Sequence, residues 1–465
     1  MPDEDARRVS ERVRIPAPVI RRRLVSGRGA TEQPNATGDG DAALTVTLWL
    51  AVGITGVATG LVGVAMMALL SAVEHVAFGY STGSFRVGVL GASWQRRLLS
   101  LVVAGVVGGL GWYLLRRYTP GERSDVEDTL WAGDGTLSPR RAAGTAVLSE
   151  LVIGMGASLG REAAPRLLGA TSGSVLGTRL GLSPAQRRLL VACGAGAGLA
   201  AVYNVPLGGA LFTAELLIGR ITLPVVLPAL MCSWIATAVA WIYLPSHATY
   251  TDVPAYAFST SEMVWAVIAG PILGILAVGL IRGIGWISHH RPAGRVMLVA
   301  PMIAFVLLGL AGIHYPQLFG NGKGIAHQVF LGNGSLLLMF ALVFLKPIVT
   351  GLCLSSGASG GLFTPTVATG ALAGGLLGGL WSDLWAGTPV GAYAIIGAAA
   401  LLGACMQAPL AALLLTLELT HTSFHLMVPM VAATALATAV ARYLDGYSTY
   451  SARLPARGDP ESDGV

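Results

Sequence analysis

Long apolar runs separated by short polar segments occupy the chain from about residue 43 to residue 456. A helix needs about 20 mostly apolar residues to cross a bilayer. Runs of about that length are Ala43–Val73, Leu98–Leu115, Leu223–Leu244, Met263–Ile287, Val296–Ile313, Leu336–Leu354 and Leu426–Val440. The pattern predicts an all-helical protein that crosses a lipid bilayer many times.

Two shorter apolar segments, Pro206–Leu217 and Pro409–Leu419, end before either could cross a bilayer alone. Helices that break at membrane depth are tolerated only where they face protein or a water-filled cavity. The first N–H groups of such a helix lack partners and carry a partial positive charge. We therefore expect broken helices whose N-termini can hold an anion.

Two stretches about two hundred residues apart have the same layout. The first opens with GREAAP at residues 160–165, and the second opens with GGLFTP at residues 360–365. Each continues to a proline that precedes a glutamate by nine residues, Pro206 with Glu215 and Pro409 with Glu418. A repeat of interrupted apolar segments indicates a transport site between two halves of a membrane protein.

Composition supports the membrane class. Only 12% of the residues are charged, whereas soluble domains average about 25%. The 62 glycines suit helices that pack closely in lipid. The four cysteines lie in apolar stretches without metal-ligand or disulfide spacing, so we expect buried thiols and no cofactor. Arginines crowd the N-terminal segment, and the net charge of +6 does not indicate nucleic-acid binding.

We predict one membrane domain, residues 43–456, with two halves at about 43–244 and 261–456. Residues 1–42 mix arginine, acidic residues, proline and glycine without periodicity, which is typical of a disordered tail. The positive-inside tendency keeps this tail in the cytoplasm, and its length before the first apolar run argues against a cleaved signal peptide. Residues 457–465 form a short polar end, and we expect no regulatory soluble domain.

The repeated motifs resemble those of the CLC family of chloride channels and proton-coupled chloride exchangers. GREAAP is similar to the family's G-[KR]-E-G-P, and GLFTP at residues 361–365 matches its G-x-F-x-P. Residues 198–215 match the stretch after the first motif, and residues 450–453 resemble the segment that holds the family's anion-coordinating tyrosine. The ordered resemblance covers about residues 100–455. It implies a prokaryotic-type member without CBS domains, whose inverted halves aim broken, re-entrant helices at a midplane anion.

Glu162 is the first candidate functional residue. A carboxylate inside the membrane is costly and is a functional hypothesis by default. The resemblance implies that Glu162 is the gate: its carboxylate blocks the anion site when deprotonated and swings away when protonated. The alternative is that Glu162 only pairs with Arg161 or Arg166 at a helix end.

The resemblance also implies which groups surround the anion. Backbone amides of Leu362 and Phe363, and those near Glu162–Ala164, would cradle it, and Tyr450 would donate a hydrogen bond. Phe363 could instead be only a packing residue, and Tyr450 could be only an interfacial anchor. The candidate anion-binding residues are Arg161, Ala163, Ala164, Leu362, Phe363 and Tyr450, and the structural motif residues are Gly160, Pro165, Gly361 and Pro365.

Two features of the family pattern are damaged. The first signature, G-S-G-I-P, has no clean counterpart: Gly121 falls at the serine position, and Ser124 could replace it only in a shifted register. The second, intracellular proton glutamate of the exchangers corresponds to Leu216, which cannot titrate. Glu215 beside it faces another side of a helix. We interpret Glu215 and its repeat Glu418 as structural caps, with an ion pathway as the alternative.

We therefore expect transport of chloride or a similar small inorganic anion by passive, channel-like flux. Proton-coupled chloride antiport is the alternative within the family. The anion is the expected ligand, and no catalysis is expected. The family implies a multi-pass plasma-membrane protein that forms a homodimer with one pore per subunit. The interface would involve the apolar segments Pro206–Leu244 and Pro409–Leu444.

Two other classes fit parts of the chain. GASG at residues 357–360 satisfies the G-x-S-G of rhomboid-type intramembrane proteases. Ser359 would then be the nucleophile, and His421 or His425 would have to lie within hydrogen-bond reach as its base. A secondary transporter of organic anions would share the repeat but not the ordered motifs. The protease reading leaves the repeat and Glu162 unexplained.

Overall fold

The computed structural model describes residues 42–122, 125–131 and 133–454. The predicted tail before residue 42 and the predicted polar end at 457–465 lie outside the described residues, as does Ser124. The described part is helical, as predicted, and the strand-like pairing found within it is one isolated antiparallel bridge, between Gly160 and Gly361.

Helices of very unequal length form the first half of the described chain. A π-helical segment, Phe212–Ile218, continues directly from the short helix Pro206–Leu211. The α-helices are α1 (Val46–Phe78), α2 (Phe85–Gly91), α3 (Trp94–Tyr118), α4 (Val126–Trp131), α5 (Pro139–Gly154), α6 (Ala163–Arg179), α7 (Pro184–Tyr203), α8 (Pro206–Leu211) and α9 (Leu223–Ala240).

The second half has a similar mixture of long and short helices. Short 3-10 segments precede or follow several of them, including Ser451–Arg453 near the end of the described chain. The α-helices are α10 (Thr260–His289), α11 (Ala300–His314), α12 (Lys323–Phe330), α13 (Leu336–Ser355), α14 (Phe363–Ser382), α15 (Val390–Met406), α16 (Pro409–Thr420) and α17 (Met427–Leu444).

Eight helical segments of the described chain are long and apolar enough to cross a membrane. Seven of them coincide with the apolar runs of the sequence. The eighth, Phe363–Ser382, has a mean hydropathy of only 1.2 in its best window, and 83% of that window is buried inside the protein. Because protein and not lipid surrounds this helix, glycine and threonine can replace larger apolar side chains there. The chain is thus an integral, multi-pass membrane protein.

The two halves share their backbone breaks. α7 ends at Asn204 with φ 58°, and α15 ends at Gln407 with φ 55°, both in the left-handed region. A proline then starts the next helix two residues later in each case, Pro206 or Pro409. The left-handed residue and the proline thus end one helix and begin another. The second helix is short in both halves, as predicted, because another left-handed residue ends it, Gly219 or His421.

Helices α6 and α7 pack in close contact, as do α14 and α15. A Cβ added at Gly169 would collide with the carbonyl of Gly194, and a Cβ at Gly370 would collide with that of Gly397. Backbone contact of this kind needs small residues. The tight pairs hold α6 and α14 in place, and both of these helices begin at the repeated motifs.

Candidate anion site

The repeated motifs meet in a single antiparallel bridge. The amide of Gly160 donates to the carbonyl of Gly361 over 2.7 Å, and the amide of Gly361 donates to that of Gly160 over 2.8 Å. A Cβ on either glycine would collide with the carboxylate of Glu162. Glycine at both positions therefore leaves the space that the Glu162 carboxylate occupies.

Two helices begin just beyond this bridge, α6 at Ala163 and α14 at Phe363. Neither N-cap residue, Glu162 or Leu362, caps its own helix with a side-chain hydrogen bond. The first N–H groups of a helix carry partial positive charge. Because the bridge joins the two starts, two such N-termini converge beside Glu162.

The carboxylate of Glu162 reaches across to the other half of the protein. Its Oε1 accepts a hydrogen bond from the Phe363 amide over 2.9 Å. Its Oε2 accepts from the hydroxyls of Tyr203, over 2.9 Å, and Thr364, over 3.2 Å. The residue is fully buried, with 0% relative exposure. A negative group is therefore held by three donors at a point that water does not reach.

Arg161 and Arg166 have different partners, and neither pairs with Glu162. Arg166 Nη2 forms an ion pair with Glu127 Oε1 at 2.5 Å. The Arg161 guanidinium lies over the ring of Tyr203, with Cζ 5.0 Å from the centroid. The alternative in which Glu162 only neutralises a neighbouring arginine is therefore not observed among the described residues.

Tyr450 is brought to the site through Arg166. The Cζ atom of Arg166 lies 5.2 Å from the centroid of the Tyr450 ring and 4.7 Å from that of Phe212. Tyr450 is only 4% exposed, whereas Tyr443 is 84% exposed. The burial of Tyr450 does not fit an interfacial anchor. Through its contact with Arg166, the Tyr450 ring packs next to α6, the helix that begins after Glu162.

The other predicted site residues lie around the bridge. Leu362 and Phe363 are buried, so both pack in the interior in addition to any contact with an anion. Gly121, at the position of the family's serine, is exposed, and a Cβ built there would have open space around it. Four further residues predicted from the two motifs lie in the first turns of α6 and α14: Ala163, Ala164, Pro165 and Pro365.

A cavity of about 250 Å³ reaches Arg161, the neighbour of Glu162. Charged and polar side chains line much of it, among them Glu74, Lys323 and His327. Glu150 on α5 is fully buried, and neither of its carboxylate oxygens has a hydrogen-bond partner among the described residues. Its charged neighbours are Arg161, Glu162 and Glu74. Glu74 and Glu150 are thus further carboxylates in this part of the protein, and sequence reasoning did not find them.

Glu215 and Glu418 cap each other's helices, which confirms their interpretation as caps. Glu418 accepts from the amides of Leu207 and Gly208 at 3.0 and 2.6 Å, at the start of α8. In the same way, Glu215 accepts from the amides of Leu410 and Ala411 at 3.2 and 2.6 Å, at the start of α16. Each half of the chain therefore caps the N-terminus of a helix in the other half.

The protease alternative has no support in the geometry. No hydrogen bond joins Ser359 to His421 or His425 within the part of the chain that the structure describes. Both histidines are exposed, and His421 is the left-handed residue that ends α16. A nucleophile without a base in reach cannot be activated in this way.

Residues 101–442 match the family model described as voltage-gated chloride channel. The chain belongs to this family. As a CLC protein, it is 32% identical over 338 residues to a ClcB-like chloride channel protein of Ralstonia nicotianae, covering 69% of this chain and 76% of that one. It is 31% identical over 310 residues to the voltage-gated ClC-type chloride channel ClcB of Escherichia coli, covering 64% of this chain and 72% of that one.

Solved structures share the CLC fold. A slow cyanobacterial Cl⁻/H⁺ antiporter superposes with a TM-score of 0.76 at 21% identity, over 88% of this chain and 97% of that one. A CLC-type fluoride/proton antiporter superposes with a TM-score of 0.70, also at 21% identity and with the same coverage. The fold expected from the resemblance, an all-helical CLC protein with broken helices, is therefore confirmed.

Three contacts of the CLC site escaped sequence reasoning. Tyr203 lay inside the matched stretch, and Thr364 lay inside the second motif, but neither had a spacing that marked it as a partner of Glu162. The pairing of Glu127 with Arg166 spans 39 positions. The sequence indicated this ion pair only by the presence of two opposite charges in a chain that has few charged residues.

Proposed function

We propose that this CLC protein carries chloride or a similar small inorganic anion by passive flux through a pathway that Glu162 gates. One observation carries the proposal: the buried Glu162 carboxylate accepts the Phe363 amide where two helix N-termini converge. Free N–H groups at helix N-termini bind anions. The negatively charged Glu162 carboxylate therefore occupies a position where these N–H groups would bind an inorganic anion.

Gating follows from the donors that hold this carboxylate. Deprotonated Glu162 uses the Phe363 amide and the hydroxyls of Tyr203 and Thr364. Protonation removes the negative charge that these donors and the helix N-termini stabilise. An inorganic anion then competes successfully for the same donors and displaces the neutral carboxyl group. Flux should therefore rise as the pH falls.

Passive flux is supported by the residues at the inner proton position of the family. Leu216 is fully buried and has no titratable group. Glu215 beside it points its carboxylate at the amides of Leu410 and Ala411 and is engaged as a helix cap. Neither residue therefore offers a free carboxylate that could carry protons along this part of the chain.

The proposal is tested by reversal potentials of the purified protein in planar bilayers or by flux in proteoliposomes, under combined chloride and proton gradients. The expected reversal potential follows the chloride gradient alone, and a chloride gradient drives no protons. Protein-free vesicles and the Glu162→Gln variant serve as controls. Uphill proton movement driven by chloride would refute the uncoupled mechanism.

Proton-coupled antiport is the second candidate, and Glu150 is the observation that favours it. Two structural neighbours are an antiporter of chloride and one of fluoride. Glu150 is a fully buried carboxylate with no hydrogen-bond partner among the described residues and with Glu162 among its charged neighbours. It could hold a proton that Glu162 releases. If antiport occurs, Glu150→Gln should stop proton movement and leave anion flux in place.

We further propose that the protein is a homodimer in the plasma membrane with a cytoplasmic N-terminus. Its ion pathway needs neither catalysis nor a cofactor. Leu207 and Leu410 are both 49% exposed at matching positions of α8 and α16. Trp234 on α9 is also exposed. These apolar surfaces suit a partner subunit along Pro206–Leu244 and Pro409–Leu444. Single-molecule photobleaching of labelled protein in bilayers should show two steps per particle.

A further inference from the structure

Arg166 is a buried cation one helical turn from the gate. It lies in the first turn of α6, and its amide donates to the carbonyl of Glu162 over 3.1 Å. Residues four apart on a helix lie on the same face. Its side chain is only 7% exposed. A positively charged group, paired with Glu127, is therefore held inside the protein on the helix that carries Glu162.

Two aromatic rings and one carboxylate surround the guanidinium. Its Cζ atom lies 4.7 Å from the Phe212 ring centroid and 5.2 Å from that of Tyr450. The two rings meet edge to face at 6.1 Å. Glu127 forms an ion pair with the guanidinium through Nη2 at 2.5 Å. The guanidinium thus connects the gate to the tyrosine that the family resemblance assigned to the anion.

Glu127 does not use all the donors of this guanidinium. Arginine has five N–H donors, and the hydrogen bond to Glu127 comes from Nη2 alone. Nε is buried and has no hydrogen-bond partner among the described residues. Glu127 balances the charge of the guanidinium, but a buried donor without a partner is unfavourable. An anion in the plane of the guanidinium would accept a hydrogen bond from Nε and remove this penalty.

We propose that Arg166 is a direct ligand of the transported anion, which it binds through Nε beside Tyr450. The ligand is a small inorganic anion that accepts hydrogen bonds in the guanidinium plane. The proposal rests on the proposed function and deepens it. It also accounts for the damaged first signature: Gly121 brings no hydroxyl to the anion, and a fixed positive charge replaces it.

A purely structural role for Arg166 predicts a different pattern of variants. If Arg166 served only to pair with Glu127, removing either partner would have the same effect. If Arg166 binds the anion, Glu127→Gln keeps the cation and frees more of its donors. The double variant Arg166→Met/Glu127→Gln removes both charges and leaves no buried charge unpaired, so it avoids the main penalty of the single Arg166→Met change.

The test is equilibrium chloride binding to the full-length purified protein by isothermal titration calorimetry. We expect Glu127→Gln to bind chloride at least as tightly as the parent. The double variant should bind about tenfold or more weakly, because it lacks a charge-assisted hydrogen bond. Arg166→Lys should lie between them, since it keeps the charge but not the planar donors. Gel filtration and thermal melting establish that each variant is folded.

Parent-like affinity of the double variant would overturn the proposal, as would a loss in Glu127→Gln equal to that of the double variant. A second measurement needs no variant: crystals of the parent with bromide should show an anomalous peak within hydrogen-bond distance of Arg166 Nε. Bromide found only elsewhere in the pathway would also overturn it.

These measurements separate the two proposals. Chloride binding reports on Arg166 even if the protein does not conduct. The pH profile of flux in Glu162→Gln reports on the gate, whatever ligand Arg166 has. A failed gate with intact Arg166-dependent binding would reject the proposed function alone. The reverse result would reject only the role of Arg166.

Discussion

The carboxylate of Glu162 accepts a hydrogen bond from the backbone amide of Phe363 over 2.9 Å, although 201 positions of sequence separate the two residues. Glu162 is the N-cap of α6 but makes no side-chain cap to that helix. It caps the opposing helix α14 instead. A capping carboxylate that belongs to the other half of the protein can be displaced without unravelling the helix that carries it, and this is the property that a gate requires.

Replacing Glu162, the carboxylate that we propose as the gate, should abolish the pH response. Glu162→Gln and Glu162→Ala remove the group whose charge competes with the anion, so flux should be high and independent of pH. Chloride flux from proteoliposomes between about pH 4 and pH 8, a range that brackets ordinary glutamate titration, would show this. Glu74→Gln is the matched control, because Glu74 lines the neighbouring cavity and accepts its hydrogen bond from the hydroxyl of Tyr80. A variant with the parent's pH profile would contradict the assignment.

Removing the hydroxyl of Tyr203 should open the pathway at higher pH. This hydroxyl donates to the charged form of Glu162, and hydrogen bonds to a charged group contribute about 1.5–3 kcal/mol. In Tyr203→Phe the blocking position of the carboxylate loses one of its three donors, so an inorganic anion displaces it more easily. The pH of half-maximal flux should therefore rise.

The ring of Tyr203 remains in this variant, so its contact with Arg161 is preserved. Thr364→Val should shift the midpoint in the same direction by less, because its hydrogen bond is longer at 3.2 Å. Tyr256→Phe is the control, since its hydroxyl bonds the carbonyl of Phe330. A midpoint that moves to lower pH in Tyr203→Phe would show that the hydroxyl does not stabilise the closed state.

A methyl group on the bridge should push the gate out of its site. In Gly361→Ala the new Cβ would overlap the carboxylate of Glu162, which is the far end of a flexible side chain. We expect the carboxylate to move and the flux at neutral pH to rise. Gly283→Ala is the matched control, because a Cβ there meets no atom within 4 Å. Unchanged flux at neutral pH in a folded Gly361→Ala protein would contradict this geometry.

Loss of either reciprocal cap should lower stability without changing the pH response. Glu215→Gln and Glu418→Gln each keep one acceptor oxygen but lose the charge at a helix N-terminus. Each should cost about 0.5–2 kcal/mol, seen as a lower melting temperature in detergent. The two variants should behave alike, because the hydrogen bonds are equivalent. A shifted pH profile of flux in Glu215→Gln alone would instead indicate that Glu215 takes part in proton movement.

The apolar runs determined most of the membrane-crossing helices, because a spanning helix must be long and apolar whatever it packs against. Phe363–Ser382 lacked that signal, since protein surrounds it and its hydropathy is low. The two short helices were also predictable, because a proline and a polar interruption bound each of them. Glu162 was found because an isolated carboxylate in an apolar chain has few structural explanations.

Partners of these residues were decided by the tertiary structure. The chain alone placed opposite charges at Arg166 and at several acidic residues, and only folding selected Glu127. It contained two equivalent glutamates, Glu215 and Glu418, and only the crossing of the halves made each cap the other's helix. Local composition and length govern where a helix forms and whether it enters lipid. Contacts between residues hundreds of positions apart depend on how the helices pack, and no local pattern encodes that.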